Sequence, residues 1–376
     1  MGDRQDTGAP TPTALEGSFE TVARFEIFRR AFLDASGTSL GPLPGFVDDD
    51  AELARMYGAM VLTRTFDAKA IALQRTGRLG TYASSLGQEA VSAGIGCAMR
   101  PDDVLLPSFR EHGTQLLRGV TMTELFLYWG GHERGCDFSA AREDFPVSIP
   151  VASHVPHAVG VALALRLRNE HRAAVCVFGD GATSKGDFYE ALNVAGVWRL
   201  PVVFVAVNNQ WAISVPRGTQ TAAQTLAQKA IAAGIEGIQV DGNDIVAVRH
   251  VVDEALQRAR EGRGPALVEA LTYRLADHTT ADDAGRYRDD AAVSEEWNGE
   301  PLRRLRAFMV ERGAWTKQKE QQLIAECTAR VEAAAEEYLA IEPEGPEAMF
   351  DHLHATLPVD LLSHRDEATG HGGEDG

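Results

Sequence analysis

Between Phe178 and Ser214 the chain reads FGDGATSKGDFYEALNVAGVWRLPVVFVAVNNQWAIS. A Gly-Asp-Gly turn stands at one end of this stretch and an Asn-Asn pair near the other. Gly179 and Gly181 permit a tight turn with close backbone approach. The amides of Gly181 and Ala182 are expected to open a helix, whose N-terminus favours phosphate oxygens. Asp180 beside a bare diphosphate would repel it, and a hard divalent cation resolves that conflict. Magnesium takes about six oxygens, and the Asp180 carboxylate, the Asn209 amide, a backbone carbonyl and two phosphates supply most of them. Taken singly, each half also reads as an ordinary strand-end turn; their pairing across one strand–helix–strand unit carries the metal–diphosphate reading. A dinucleotide site needs G-x-G-x-x-G after an early strand. Neither GDGATSKG nor GIGCAM at 94–99 has its third glycine in place.

Two such groups meet only on a particular scaffold. AAVCVFGD and PVVFVAVNN are short, continuous, valine-rich apolar runs. Such runs read as strands buried on both faces, as in a parallel sheet. DFYEALNVAGVW between them reads as a helix. About 13 helical residues rise roughly 20 Å, which matches a strand of about six residues at about 3.3 Å each. One crossover therefore returns the chain beside its start and sets Asp180 near Asn209. Ligands of open parallel sheets bind there, beyond the carboxyl ends of the strands. Further strands are expected at GIQVDG and PALVEALTY, with the helix DIVAVRHVVDEALQRARE between. Leu53, Met56, Tyr57, Met60 and Val61 recur at helical spacing, so a helix is expected to begin near Asp50. The Glu-rich stretch after Trp315 reads as a long surface helix. This alternation implies an α/β fold with a doubly wound, mainly parallel sheet. Residues 1–50 read as a largely irregular arm with one short ordered piece at RFEIFRRAFLD. Residues 51–340 read as the α/β domain, and 341–376 as a C-terminal extension ending in a disordered tail.

The 376 residues are 44% hydrophobic and 24% charged, so a sizeable core is available. A net charge of −18 argues against a nucleic-acid partner. No apolar run reaches the roughly 18 residues that suggest a membrane span. MGDRQDTGAPTPTALEGSFE lacks an apolar leader core and is too acidic for an organelle transit peptide, so a cytoplasmic location is expected. Cys97, Cys136, Cys176 and Cys327 form no CxxC pair. Cys176 and Cys327 fall on apolar runs and read as buried thiols, which fits a reducing compartment.

The GDG…NN segment resembles the thiamine diphosphate signature of transketolases, acetolactate synthases and 2-oxo acid dehydrogenases. GRLGTYASSLGQEA, LPSFREHG, GDGATSKGDFYEALNVAG, NNQWAIS, AQKAIAAGI, VDGND and TYRLADHTTADDAGRYR narrow the choice. Together, over roughly residues 50–340, they resemble the alpha subunit of the thiamine-dependent, decarboxylating component of pyruvate and branched-chain 2-oxo acid dehydrogenase complexes. The resemblance implies that Asp180 and Asn209 bind Mg²⁺ through side chains and Trp211 through its carbonyl. Gly179, Gly181, Ala182 and Arg110 would hold the diphosphate. Phe109 stands where the family carries Tyr, so one hydroxyl contact is absent. Ile149 and Val151 would face the aminopyrimidine ring, and His278 would sit over the reacting centre. Asp277 replaces a polar or His neighbour common in the family. His154 replaces a Gln near the family's potassium site, which leaves a K⁺ ion open. His112 either reaches the substrate or is an ordinary helix residue. Tyr82, Ser84 and Ser85 are expected to border the acyl pocket.

On this resemblance the chain takes part in oxidative decarboxylation of a 2-oxo acid and reductive acylation of the lipoyl group of a partner acyltransferase. Pyruvate is favoured and a branched-chain 2-oxo acid is the alternative. A split transketolase half and a non-catalytic binding protein are more distant readings. About 290 globular residues suffice for one of the two domains that sandwich the cofactor. The carboxylate that activates the aminopyrimidine is therefore expected from a beta subunit, in a heterotetramer of two alpha and two beta chains.

Overall fold

The order of the strands decides where a ligand can lie. The computed structural model describes residues 20–351 and 353–370. The first part of the expected arm and residues 371–376 of the expected tail lie outside the described residues. The strands are β1 (Arg29–Arg30), β2 (Val104–Leu106), β3 (Ala174–Gly179), β4 (Val202–Asn208), β5 (Trp211–Ala212), β6 (Val215–Pro216), β7 (Glu236–Asp241) and β8 (Ala266–Leu271). Six of them form one sheet in the order β1-β7-β8-β4-β3-β2, with every neighbour parallel. β5 and β6 make a separate antiparallel hairpin. Strands β2, β3 and β4 step across the sheet in one direction, whereas β7 and β8 step back towards β4. The winding therefore reverses between β4 and β8, the place where such sheets open a crevice.

The valine runs are continuous because both faces are covered. In β3, Cys176 and Phe178 pack with Phe188 and Leu192 of the helix Gly186–Val197. The alternate residues Val175 and Val177 pack on the other face with Val248, Val252 and Leu256 of the helix Ile245–Arg260. This is the two-residue period of a pleated strand with apolar partners on each side. A third layer buries Met56, Tyr57, Met60 and Phe66 of the helix Asp50–Arg75 against Phe308 and Met309 of Pro301–Glu311 and Cys327 and Val331 of Lys317–Leu339.

Three details depart from the sequence reading. Residues Asp180–Ser184 form a 3-10 turn, and the α-helix begins only at Gly186. The amides of Gly181 and Ala182 thus sit in a tight turn ahead of the helix. Second, β2 has only three residues, too few for any periodic signal. Third, the tail expected to be disordered is helical over Val359–Gly370, although the helix buries none of its residues. The ordered piece expected within RFEIFRRAFLD is the edge strand β1, paired with β7.

One carboxylate fastens that edge. Asp244 is fully buried, and it accepts from Phe32 N at 2.7 Å and Leu33 N at 2.8 Å. It also caps the helix Ile245–Arg260 by accepting from Val246 N at 3.0 Å and Ala247 N at 3.2 Å. Asp244→Ala leaves four backbone donors without this acceptor. The expected loss is about 3 kcal/mol in urea unfolding. Asp244→Asn, which keeps one acceptor oxygen, should lose about half as much. Wild-type stability in Asp244→Ala would remove this anchor from the account.

Candidate active site

Because all six strands run the same way, their carboxyl ends share one edge. Gly179 ends β3, Asn208 ends β4, and Leu106 and Leu271 end β2 and β8. A cavity of about 590 Å³ opens there. From β3 and its turn it is lined by Gly179, Asp180, Gly181 and Ala182. From β4 and the hairpin come Asn209, Trp211 and Ile213. Phe109 and Arg110 follow β2, Ile149 and Val151 precede the helix His154–Leu167, and His278 lies on the loop after β8. Eleven residues read from sequence as cofactor, metal or catalytic groups thus converge on one cavity: Phe109, Arg110, Ile149, Val151, Gly179, Asp180, Gly181, Ala182, Asn209, Trp211 and His278.

The acidic corner is dry. Asp180 is buried, and burial pushes its carboxyl up to about 6. Its only side-chain partner among the described residues is Gln220 Nε2, at 3.4 Å. Asn209 Nδ2 donates to Gln88 Oε1 at 3.2 Å, and Asn209 Oδ1 accepts from Trp211 N at 3.2 Å. Gln88 Nε2 is buried without a partner, so a donor at this corner awaits an acceptor. A Cβ on Gly181 would lie 3.0 Å from Ala212 Cβ, so the hairpin approaches the turn as closely as glycine allows. The hairpin is strained where it presents Trp211: Gln210 has φ 73° and Ile213 has φ 57°. A β-branched residue in the left-handed region is an outlier costing about 1–3 kcal/mol. Among the described residues no cluster of three His, Cys, Asp or Glu side chains is arranged to hold a metal ion. A cation here would draw on one carboxylate, an amide, a carbonyl and oxygens brought by its ligand. The buried carboxylate, the unpartnered amide and the glycine turn fit a metal-bound diphosphate.

The other end of the cavity is cationic. Arg110 is buried; its guanidinium donates to Ser84 O and, at 2.6 Å, to His278 O. Burial, and then the neighbouring Arg274 guanidinium, pull Arg110 down to about 10, so it stays charged at neutral pH. Arg110 also lies 3.0 Å, and Arg274 3.4 Å, from His278 Nδ1. Guanidinium groups only donate, so Nδ1 accepts and the neutral ring carries its proton on Nε2. Burial, Arg110 and Arg274 together lower His278 to about 4. The loop is held in place by its own side chains. Asp282 accepts from His278 N at 3.0 Å, Tyr287 donates to Asp282, and Arg288 donates to the carbonyls of Arg274 and Ala276.

Several residues fall elsewhere. His112 is fully buried and does not line the cavity. Its Nε2 accepts from Trp129 Nε1 at 3.1 Å, its Nδ1 lies 3.3 Å from Tyr82 Oη, and burial lowers it to about 3. A helix residue locked at both nitrogens is what the structure places there, not a group reaching substrate. Tyr82, Ser84 and Ser85 turn their hydroxyls to the buried Asp67, leaving Thr81 and Ala83 to line the cavity. Asp277 faces its own loop, accepting from Ala284 N at 3.1 Å. Arg274, Gln88 and Glu111 were not singled out from sequence. Glu111 lines the cavity and burial raises it to about 7. Arg274 belongs to the motif TYRLADHTTADDAGRYR, but nothing in its spacing separates a buried arginine from a solvated one.

With this geometry in place, comparison with known proteins identifies the class. Residues 57–344 match the family described as Dehydrogenase E1 component. The chain is 38% identical over 345 residues to a pyruvate dehydrogenase E1 component subunit alpha of Staphylococcus aureus, covering 91% of this chain and 92% of that protein. It is 40% identical over 306 residues to a 3-methyl-2-oxobutanoate dehydrogenase subunit alpha of Mycobacterium tuberculosis, covering 81% of this chain and 82% of that protein. The chain belongs to the dehydrogenase E1 component family. Within it, this is the alpha subunit of a 2-oxo acid dehydrogenase, an oxidoreductase.

The depressed His278 makes a pH prediction for the cofactor-free protein. The folded ring stays neutral down to about 4, whereas an unfolded ring takes up a proton near 6.5. The stability contributed by the neutral ring is therefore present above about 6.5 and lost as pH falls towards about 4. Urea unfolding of His278→Asn should show a shallower fall across that window than the wild type. Identical pH profiles would mean that the ring does not resist protonation.

Proposed function

We propose that this chain supplies the metal- and diphosphate-binding half of the 2-oxo acid dehydrogenase, with Mg²⁺ held by the Asp180 carboxylate, the Asn209 amide and the Trp211 carbonyl. Membership of the family implies thiamine diphosphate as cofactor and, for an alpha subunit, a beta partner within a multienzyme complex. The observation that carries the finer reading is the convergence of Asp180, Asn209, Arg110 and His278 on one cavity at the carboxyl edge of a parallel sheet. Gly181 and Ala182 would offer backbone N–H groups to the diphosphate, with Arg110 as the forked cation. When bound, thiamine diphosphate supplies the electron sink for loss of carbon dioxide from the 2-oxo acid.

The residues of this chain then have separable tasks. Asp180 binds the cation, which lets two anions share one corner. Arg110 holds His278 as well as anionic oxygen, and so fixes the ring that faces the reacting end. His278 keeps a proton at Nε2 and can donate it to oxygen as charge develops there. Ile149 and Val151, each 50% exposed in the single chain, offer apolar contact to a ring and exclude water once covered. Potassium is not part of this proposal. His154 Nε2 bonds Val177 O at 2.8 Å and its Nδ1 is unpartnered, which offers nitrogen where an alkali ion takes oxygen.

The complete assembly would be two alpha and two beta chains, with the beta chain contributing the carboxylate that activates the aminopyrimidine and a lipoyl domain of the acyltransferase as acceptor. Pyruvate is the substrate we favour. A branched-chain 2-oxo acid is the second reading, because relatives named for each substrate match this chain to a similar degree. The two differ by a few methyl groups, which only a few kcal/mol of packing separates.

Calorimetry on the alpha–beta assembly should show magnesium-dependent thiamine diphosphate binding that Asp180→Ala abolishes; binding retained in that variant would refute the metal assignment. The alpha chain alone should turn over neither pyruvate nor 3-methyl-2-oxobutanoate with a dye acceptor, while the assembly turns over one of them. Strong turnover by the single chain would exclude the required partner.

A further inference from the structure

Beneath the metal–diphosphate corner, two buried charges meet no counter-ion. Lys229 is 8% exposed and Glu269 is fully buried. Neither belongs to an ion pair among the described residues. Lys229 Nζ donates to Thr183 O at 2.8 Å and to Thr183 Oγ1 at 3.0 Å. It also lies 5.3 Å from the centre of the Tyr189 ring. Thr183 Oγ1 in turn donates to Asp180 O at 2.8 Å. Glu269 Oε1 accepts from Asn208 Nδ2 at 2.7 Å, and its Oε2 accepts from Ala227 N at 3.0 Å. Asn208 Oδ1 accepts from Gln210 N at 3.3 Å and Gln210 Nε2 at 2.9 Å.

These bonds form one connected path. It runs from the Asp180 carbonyl through Thr183 to Lys229, along the backbone to Ala227, through Glu269 to Asn208, and ends at Gln210. Gln210 is the left-handed residue between Asn209 and Trp211. The Gly-Asp-Gly turn and the Asn-Asn turn are thus joined from below by the buried segment at 226–229. A buried charge loses its hydration, and neutral dipoles return only part of it. Two buried opposite charges that each serve a different turn are a costly way merely to fill a core. Neither side chain lines the cavity, so any effect on a ligand passes through Thr183 and Asn208.

We propose that the segment at 226–229 is a brace that sets the distance between the two turns, with Lys229 positioning the phosphate-side turn and Glu269 the amide-side turn. The proposal rests on the metal–diphosphate reading above. On this reading the brace, rather than the sheet alone, fixes how far apart the two strand ends stand.

The test uses the alpha–beta assembly. Its affinity for thiamine diphosphate is measured at saturating Mg²⁺, its affinity for Mg²⁺ at saturating thiamine diphosphate, and its KM for the 2-oxo acid alongside. Lys229→Met keeps the aliphatic stem and should weaken thiamine diphosphate about tenfold or more. The KM for the 2-oxo acid should stay within about twofold, a split that general loosening of the fold would not give. Lys229→Arg keeps the cation and should recover at least half of the lost affinity. Glu269→Gln should weaken Mg²⁺ instead, and it carries the test if Lys229→Met fails to assemble. Wild-type thiamine diphosphate affinity in an assembled Lys229→Met, or wild-type Mg²⁺ affinity in an assembled Glu269→Gln, would overturn the brace. If the wild-type assembly itself binds no thiamine diphosphate, the metal–diphosphate reading falls rather than the brace alone.

Discussion

A carboxylate kept from water, with no cationic side chain bonded to it among the described residues, is the constraint from which the rest of this sheet edge follows. Asp180 stands at the end of a strand buried on both faces, so the fold itself removes its solvent. Burial alone would favour the protonated acid, and the carboxyl is indeed displaced upward. Arg274, whose charge bears on Asp180, is committed to Ile213, Tyr287 and His278, and Arg110 to His278. A divalent ion is the economical remedy, because it stabilises the ionised acid and still has charge left for phosphate oxygens.

The opposite end of the cavity carries the complementary problem. Two guanidinium groups and an imidazole nitrogen crowd together; burial lowers both arginines, Arg110 further through the charge of Arg274 and Arg274 through that of Arg288. Carbonyl oxygens of Ser84, Ile213 and His278 offset part of that cost. The cavity thus has an acidic corner short of a cation and a cationic wall short of an anion. A metal-bound dianion placed between them satisfies both at once, which neither the metal nor the anion does alone. Burial, with the same cationic wall, keeps His278 neutral, so its proton sits on a defined nitrogen.

The parts of this arrangement that were legible in the sequence are those where backbone and chemistry coincide. Gly179, Asp180, Gly181 and Asn209 sit at strand ends, and strand ends announce themselves by the close of an apolar run. Parallel pairing then forces them onto one edge, so their convergence needed no knowledge of side-chain packing. The edge strand β1 and the three-residue β2 were hidden because two or three residues have no period. The arginine, lysine and glutamate that support the site were hidden for another reason. Arg274, Lys229 and Glu269 are charged residues whose burial depends on what surrounds them in three dimensions, and composition places such residues on the surface. His112 shows the converse. Its proximity to Arg110 in sequence suggested chemistry, whereas a helical turn points its ring into the aromatic cluster of Tyr82, Trp129 and Phe66.

The shape of the cavity also explains why the chain stops short of a complete catalyst. Its lining includes Ile149 and Val151, each 50% exposed, and Ile213 at 56%. Apolar side chains at the rim of a charged cavity lower its dielectric only when something covers them. In the single chain, water reaches that side, and Coulomb attraction there is weakened severalfold relative to a covered site. A second subunit laid over this rim would do two things with one contact: bury the exposed isoleucines and valine, and strengthen every interaction that Asp180, Arg110 and His278 make. Division of the enzyme between two chains is therefore consistent with where this chain has placed its charges, on a floor rather than in an enclosed pocket.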